Sequence, residues 1–271
     1  LSIKDHSVKE LFPLSITSTP AVSIREENKV WVATAMLVHY LESFTDSLVV
    51  TDSKNEPIGV MGGYEIIKNV FEFPTSDLFD EKTVRDVMDN ELLQITPNTT
   101  LSELIEKWEE THRAFCILPN EYGGYSAISA RKILEVGANC KTNITISSLP
   151  KKRIATFSPL DSIGHIINSM MENKTRKLIQ KNSCDFISDR TIIQAIARDL
   201  DYLRNIENFL DMEVKSTFEV DKIKKITDDL KLSELSRIMF GMMHPYVLYN
   251  DQVYTPWDIC LGLLSNDVKI K

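Results

Sequence analysis

The chain has 271 residues, 43% hydrophobic and 26% charged, with a formal net charge of −8. That composition describes an ordinary globular protein of about two domains and excludes a disordered, collagen-like or disulfide-stapled chain. The acidic balance argues against sequence-independent nucleic-acid binding, which depends on neutralising many phosphates with Lys and Arg. The basic run "PKKR" at 150–153 is short and reads as a solvated turn. Apolar runs such as "VWVATAMLV" at 30–38 are too short to cross a bilayer, and the opening "LSIKDHSVKE" has no signal-type hydrophobic region, so the expectation is a cytoplasmic protein with no membrane partner. Cys116, Cys140, Cys184 and Cys260 lack C-x-x-C spacing and the five histidines form no paired zinc pattern, which predicts no metal site and a reducing compartment.

Four segments share one order of strand, amphipathic helix, two-strand hairpin and helix. In the first, "AVSI" is a strand and Val30, Ala33, Leu37 and Leu41 recur at helical spacing. The second runs from "LLQI" through a Pro/Asn/Thr break to Leu101, Leu104, Ile105 and Trp108 on one helix face. The third places Ile163, Ile166, Ile167 and Met170 after "IATF"; the fourth places Leu232, Leu235, Ile238 and Met239 after "IKKI". The first core positions, Val30, Leu101, Ile163 and Leu232, are 62 to 71 residues apart. β-Prone pairs follow each helix: "SLVVTDSKNEPIGVM", "AFCILPNEYGGYSAIS", "RKLIQKNSCDFIS" and "PYVLYNDQVYT". The helices "YEIIKNVF", "ARKILEV", "DRTIIQAIARDL" and "PWDICLGLL" close the segments, the third continuing into "DYLRNIENFL" as a long connector. The fold class is therefore α/β (α+β layered), with four βαββα repeats over 1–78, 79–140, 141–203 and 204–271.

The stretch "PAVSIREENKVWVATAMLVHYLESFTDSLVVTDSKNEPIGVMGGYEI" resembles a cystathionine-β-synthase-type (CBS) domain, and "TVRDVMDNELLQITP" opens a second copy in the same manner. The resemblance implies CBS-type repeats arranged as two paired modules, roughly 1–140 and 141–271, each packed through its sheets. It also implies clefts that bind adenosine-containing ligands in many members and are degenerate in others.

The family's local motif is Ser/Thr-x-x-Asp at the start of the last helix, where a hydroxyl faces phosphate or ribose and a carboxylate accepts from the ribose diol. Thr255 and Asp258 preserve both residues; Ser188 is followed by Thr191, Ser129 by Lys132, and Gly62 by Glu65. "TPWD" is equally a good helix start, with Thr as N-cap, Pro at the first position and an acid at the third. Alignment of the hairpins brings Asp46, Arg113, Arg176 and His244 into a second column, with His112 and Lys177 adjacent, as candidate phosphate contacts. Thr156 and Tyr246 are candidates for lining an adenine slot.

No nucleophile elbow, Walker loop or two-cysteine metal pattern supports an enzyme. The expected function is a non-enzymatic, energy-sensing type of regulatory protein whose ligand is AMP, ADP, ATP or S-adenosylmethionine, with or without magnesium, acting on an effector protein. Closure of the modules within one chain and closure with a second copy, as a homodimer, are both open. A scaffold with decayed, non-binding clefts is the alternative.

Overall fold

The computed structural model describes residues 1–12, 19–40, 45–217 and 219–271. The first repeat consists of β1 (Ser23–Arg25), α1 (Val30–His39), β2 (Ser47–Thr51), β3 (Pro57–Gly62) and α2 (Gly63–Glu72). β1 runs parallel to β2, and β2 antiparallel to β3. The second has α3 (Leu101–Thr111), β4 (Phe115–Pro119), β5 (Tyr125–Ser129) and α4 (Ala130–Ala138). Its opening strand is reduced to one parallel bridge, Gln94 to Ile117, because the break at Pro97-Asn98 follows at once. The third has β6 (Thr156–Phe157), α5 (Ile163–Glu172), β7 (Lys177–Gln180), β8 (Asp185–Ser188) and α6 (Asp189–Arg198), with β9 (Asp221–Lys222) added antiparallel to β8. The fourth has β10 (Lys224–Lys225), α7 (Leu232–Phe240), β11 (Val247–Tyr249), β12 (Gln252–Tyr254) and α8 (Pro256–Leu263).

Two expectations fail locally. The connector after α6 is not one long helix: Asp199 is extended (φ −129°, ψ 103°) and its carboxylate accepts from Asp201 N–H at 2.9 Å, starting a separate helix Leu200–Arg204. Asn205 interrupts again before Ile206–Asp211, as expected of short polar side chains that compete with the helical backbone. On α7, Ile238 is only half-buried, and fully buried Ser236 takes the packed position. The other stripe residues predicted on α1, α3, α5 and α7 are buried, except Leu41, which lies outside the described residues.

The chain forms two compact units whose membership alternates along the sequence. One comprises residues 1–21, 91–152 and 224–271, and so holds repeats two and four; the other comprises 22–90 and 153–223 and holds repeats one and three. The expected consecutive division at about residue 140 therefore describes neither unit. Helix faces, rather than sheets, build each one. In the unit of repeats two and four, α4 packs against α7 and α8. The approach is close: a Cβ at Gly137 would stand 2.3 Å from Ser236 Oγ and 2.9 Å from its Cβ. In the unit of repeats one and three, α6 packs against α1 and α2, and α5 against α2. There a Cβ at Gly63 would stand 2.6 Å from Asp189 Oδ2. Each unit has its own apolar core.

One connection recurs four times. A short segment antiparallel to the N-cap of each amphipathic helix exchanges two backbone hydrogen bonds with it. Val8 N–H donates to Thr99 O (2.8 Å) and Leu101 N–H to His6 O (3.0 Å); Val84 N–H to Asn28 O (2.8 Å) and Val30 N–H to Lys82 O (3.1 Å). Ile146 N–H donates to Leu230 O (3.0 Å) and Leu232 N–H to Ile144 O (2.8 Å); Val214 N–H to Asp161 O (3.1 Å) and Ile163 N–H to Met212 O (3.0 Å). The segment that leads into repeat one thus docks on the helix of repeat two and the lead of repeat two on repeat one; leads three and four exchange likewise. Val8, Val84, Ile146 and Val214 are all buried, which fixes the register of each exchange.

Gly137→Ala is expected to lower stability by about 1–3 kcal/mol through overpacking. Gly241→Ala, where a Cβ would meet nothing within 4 Å, should be nearly neutral. Chemical denaturation of both variants measures the difference.

Candidate functional site

The four starts of the closing helices have one backbone geometry. Gly62 (φ −129°, ψ −177°), Ser129 (−121°, 167°), Ser188 (−122°, 169°) and Thr255 (−129°, 169°) are the extended N-caps of α2, α4, α6 and α8. Any difference in what these sites do therefore lies in their side chains.

In repeat four the strands β11 and β12 pair Val247 with Tyr254 and Tyr249 with Gln252. They are joined by Asn250 and Asp251 at φ 46° and 59°, residue types that tolerate the left-handed region. Pro256 then occupies the first turn of α8. Asp258 Oδ2 accepts from Thr255 N–H at 2.8 Å and from Thr255 Oγ1–H at 3.1 Å. Its second oxygen, Oδ1, lies 2.6 Å from Lys152 Nζ, although Asp258 is 1% exposed and the lysine side chain 43%. Lys152 is itself tethered to the hairpin, since its N–H donates to Gln252 Oε1 at 3.0 Å. Burial and then the Asp258 carboxylate push the Tyr254 phenol above its usual range, and burial also raises the Cys260 thiol.

The other helix starts answer the same backbone differently. In repeat three, Thr191 N–H donates to buried Ser188 Oγ (3.3 Å), Ser188 N–H to Thr191 Oγ1 (3.2 Å), and Thr191 Oγ1 to Asp221 Oδ2 (2.8 Å). A carboxylate from β9 thus stands beside the helix start whose third position, Thr191, lacks one in sequence. Buried Glu65 accepts from Gly62 N–H at 2.7 Å in repeat one. In repeat two Lys132 is half-buried.

The second column separates. Strand registers pair Ser47 with Gly62, Phe115 with Ser129 and Lys177 with Ser188, and place Tyr246 one residue before the Val247–Tyr254 pair. Counting back from these, Asp46 and Arg176 share a position with Ala114 and Pro245. Arg113 and His244 fall one residue earlier, with Thr45 and Thr175, so the four residues aligned from sequence form two columns. A one-residue slip is invisible in loops without a repeating pattern. Arg176 is held by Asp189 at the first position of α6, with Nη2 and Nε 2.7 and 2.9 Å from Oδ2. His112 is exposed and ends α3 in the left-handed conformation (φ 53°). Lys177 opens β7; Thr156 opens β6 and is exposed; Tyr246 is half-buried just before β11. Structure therefore brings together Thr255 with Asp258, Ser188 with Thr191, and Arg176 with Asp189.

Four residues that matter were not singled out. Lys152 lay in a run read as a solvated turn, and nothing local links it to Asp258. Asp221 is equally remote in sequence. Arg131 and Arg190 are buried at the second position of α4 and α6. Arg131 donates to the carbonyls of Met242 and Met243, and Arg190 to those of Leu37 (2.9 Å), Thr45 (2.9 Å) and Asp46 (2.6 Å). Each clamps its helix start to the loop ahead of the partner repeat's hairpin. The recurrence of Ser-x-Arg in "SAR" and "SDR" was the available signal.

The Thr255–Asp258 pair is also a capping box, and the chain uses that device elsewhere without burial. Glu10, Asp86 and Glu103 accept from the N–H of Ser7, Thr83 and Thr100 at 2.8 Å. These backbone bonds hold the three carboxyls below their usual range. A lowered folded value contributes stability above the unfolded pKa of about 4 and loses it as pH falls through the folded value. Stability should accordingly be flat from neutral pH to about 5 and fall below about 4. In Asp86→Asn the fall should be shallower, as measured by thermal unfolding against pH.

Among the described residues no group of three His, Cys, Asp or Glu is placed to hold a metal ion, and no helix is long and apolar enough to cross a membrane.

The CBS domain model matches residues 84–137, which is repeat two with part of its lead. No curated protein matches the chain. A structure from Methanocaldococcus jannaschii, described as a candidate archaeal homologue of γ-AMPK, is 15% identical with a TM-score of 0.76, covering 94% of this chain and 99% of its own. An uncharacterised conserved protein from Pyrococcus horikoshii is 10% identical with a TM-score of 0.56, covering 93% and 99%. A CBS-domain containing protein from Agrobacterium tumefaciens is 17% identical with a TM-score of 0.42, covering 49% and 93%. At these identities the first two share the fold of this chain.

Proposed function

We propose, for a chain that carries a CBS domain at residues 84–137 and has the fold of tandem CBS-domain proteins, that it is a non-enzymatic regulatory protein binding an adenosine-containing ligand. The observation that carries this reading is the pairing of Thr255 with buried Asp258 on the same backbone frame that the other three repeats present with different side chains. A carboxylate with two acceptor oxygens suits a ribose diol, and the first turn of a helix favours a phosphate nearby. The M. jannaschii structure, described as a candidate γ-AMPK homologue, supports AMP, ADP or ATP as the ligand class to test first. S-adenosylmethionine and magnesium belong to the same panel.

In this reading the repeats span 1–78, 79–140, 141–203 and 204–271, and the protein works in the cytoplasm on an effector protein. His244 and Tyr246 belong to the repeat-four site. Ser188, with Arg176 and Lys177 from the same repeat, forms a second, weaker one. Thr156, Glu65, His112 and Arg113 are proposals of lower rank. Ligand binding regulates a partner only if the two conformations of the protein differ in affinity.

One observation favours the scaffold reading: the helix starts of repeats one, three and four are hydrogen-bonded internally, at Glu65, at Ser188 with Thr191 and at Asp258. A thermal-shift panel of AMP, ADP, ATP, S-adenosylmethionine and a guanosine control separates the two. At one hundred times Kd the adenosine ligand should add about 2.7 kcal/mol, or roughly 5–10 °C in Tm, and Asp258→Ala should abolish most of that gain. No shift with any adenosine ligand would favour the scaffold.

A further inference from the structure

The pair formed by Lys152 and Asp258 is asymmetric, as is that of Arg176 and Asp189. Asp258 is 1% exposed, with Oδ2 engaged twice by Thr255, whereas the ammonium 2.6 Å from Oδ1 sits on a side chain that is 43% exposed. One partner can return to water and the other cannot. Lys152 is placed by more than attraction, since its backbone is tied to β12 through Gln252. With Oδ2 engaged by Thr255, the buried oxygen that Lys152 covers, Oδ1, is the acceptor left for ribose hydroxyls.

We propose that Lys152 is a built-in competitor at Asp258, so that binding at repeat four is an exchange in which a ligand's diol displaces a lysine ammonium. The inference rests on the ribose reading of this helix start and adds the residue that sets its affinity. Lys152 supplies the counter-ion of the buried carboxylate, while Oδ1 has, among the described residues, no hydrogen-bond donor of its own, which a diol O–H would provide. Without the lysine the buried charge would lack a counter-ion, and that is the reason the pair closes. The free protein then divides between closed and open forms, and its apparent affinity is reduced by the open fraction. With the pair closed nine-tenths of the time, removing the ammonium tightens binding about tenfold.

The test uses the full chain and adenosine, whose lack of phosphate removes any direct attraction to lysine. Calorimetry compares wild type, Lys152→Met and Lys152→Gln, the second guarding against loss of the folded state in the first. In parallel, amine acylation followed by mass spectrometry reports the reactivity of Lys152 in wild type, with exposed Lys151 as internal reference. The expected result is about tenfold tighter adenosine binding in both variants and faster acylation of Lys152 when adenosine is bound. Binding by the variants alone would support the exchange still more strongly. Adenosine binding to wild type with unchanged or weaker binding in the variants, or with Lys152 no more reactive, overturns the exchange and leaves the ribose reading standing. Absence of binding in wild type and both variants overturns both.

Discussion

The reciprocal backbone bonds between lead segments and helix starts are the constraint on which the rest of the structure depends. A helix start has N–H groups with no partner inside the helix, and here one of them in each amphipathic helix is satisfied by a carbonyl from another repeat's lead. The lead is held in return by a buried aliphatic residue, Val8, Val84, Ile146 or Val214. No single repeat can complete its own fold under this arrangement. Repeats one and two are coupled by exchange, as are three and four, while the helix faces couple one with three and two with four.

That double coupling explains where polar groups are buried. Arg131 and Arg190 lie between a helix of one repeat and the loop of its partner, satisfying carbonyls that the partner leaves exposed. Asp189 takes Arg176 on one side and the close approach of Gly63 on the other. A buried ionic group costs free energy unless it is partnered; Arg131 and Arg190 find carbonyls in another repeat, and Asp189 finds Arg176 within its own. Asp258 belongs to the same class, and its counter-ion, like Arg176, sits on a side chain that reaches solvent.

Much of the architecture was legible from periodicity. The stripes beginning at Val30, Leu101, Ile163 and Leu232 are all buried faces, because a 3.6-residue apolar period and a core-facing helix are one physical fact. The exception at Ile238 is instructive: Ser236 owes its buried position to the absence of a side chain on Gly137, a hundred residues away. The Thr255–Asp258 contact was also legible, since its three-residue spacing is local. Lys152 and Asp221 were not, because their partners are set by topology rather than spacing. The cation column failed for a related reason: loops ahead of a strand carry no period from which a register can be counted. Leads were missed in three cases of four, since a single buried aliphatic residue in a helix of three or four residues is too weak a pattern to read alone.

Amide hydrogen exchange in Val84→Ala tests the exchange of leads most directly. Val84 precedes the amphipathic helix of repeat two in sequence, yet its segment caps the helix of repeat one, with Val30 N–H bonded to Lys82 O. The expected result is lost protection at the Val30 amide with that of Leu101 unchanged. Lost protection at Leu101 with Val30 unchanged would show that each lead serves its own repeat, and would contradict the account.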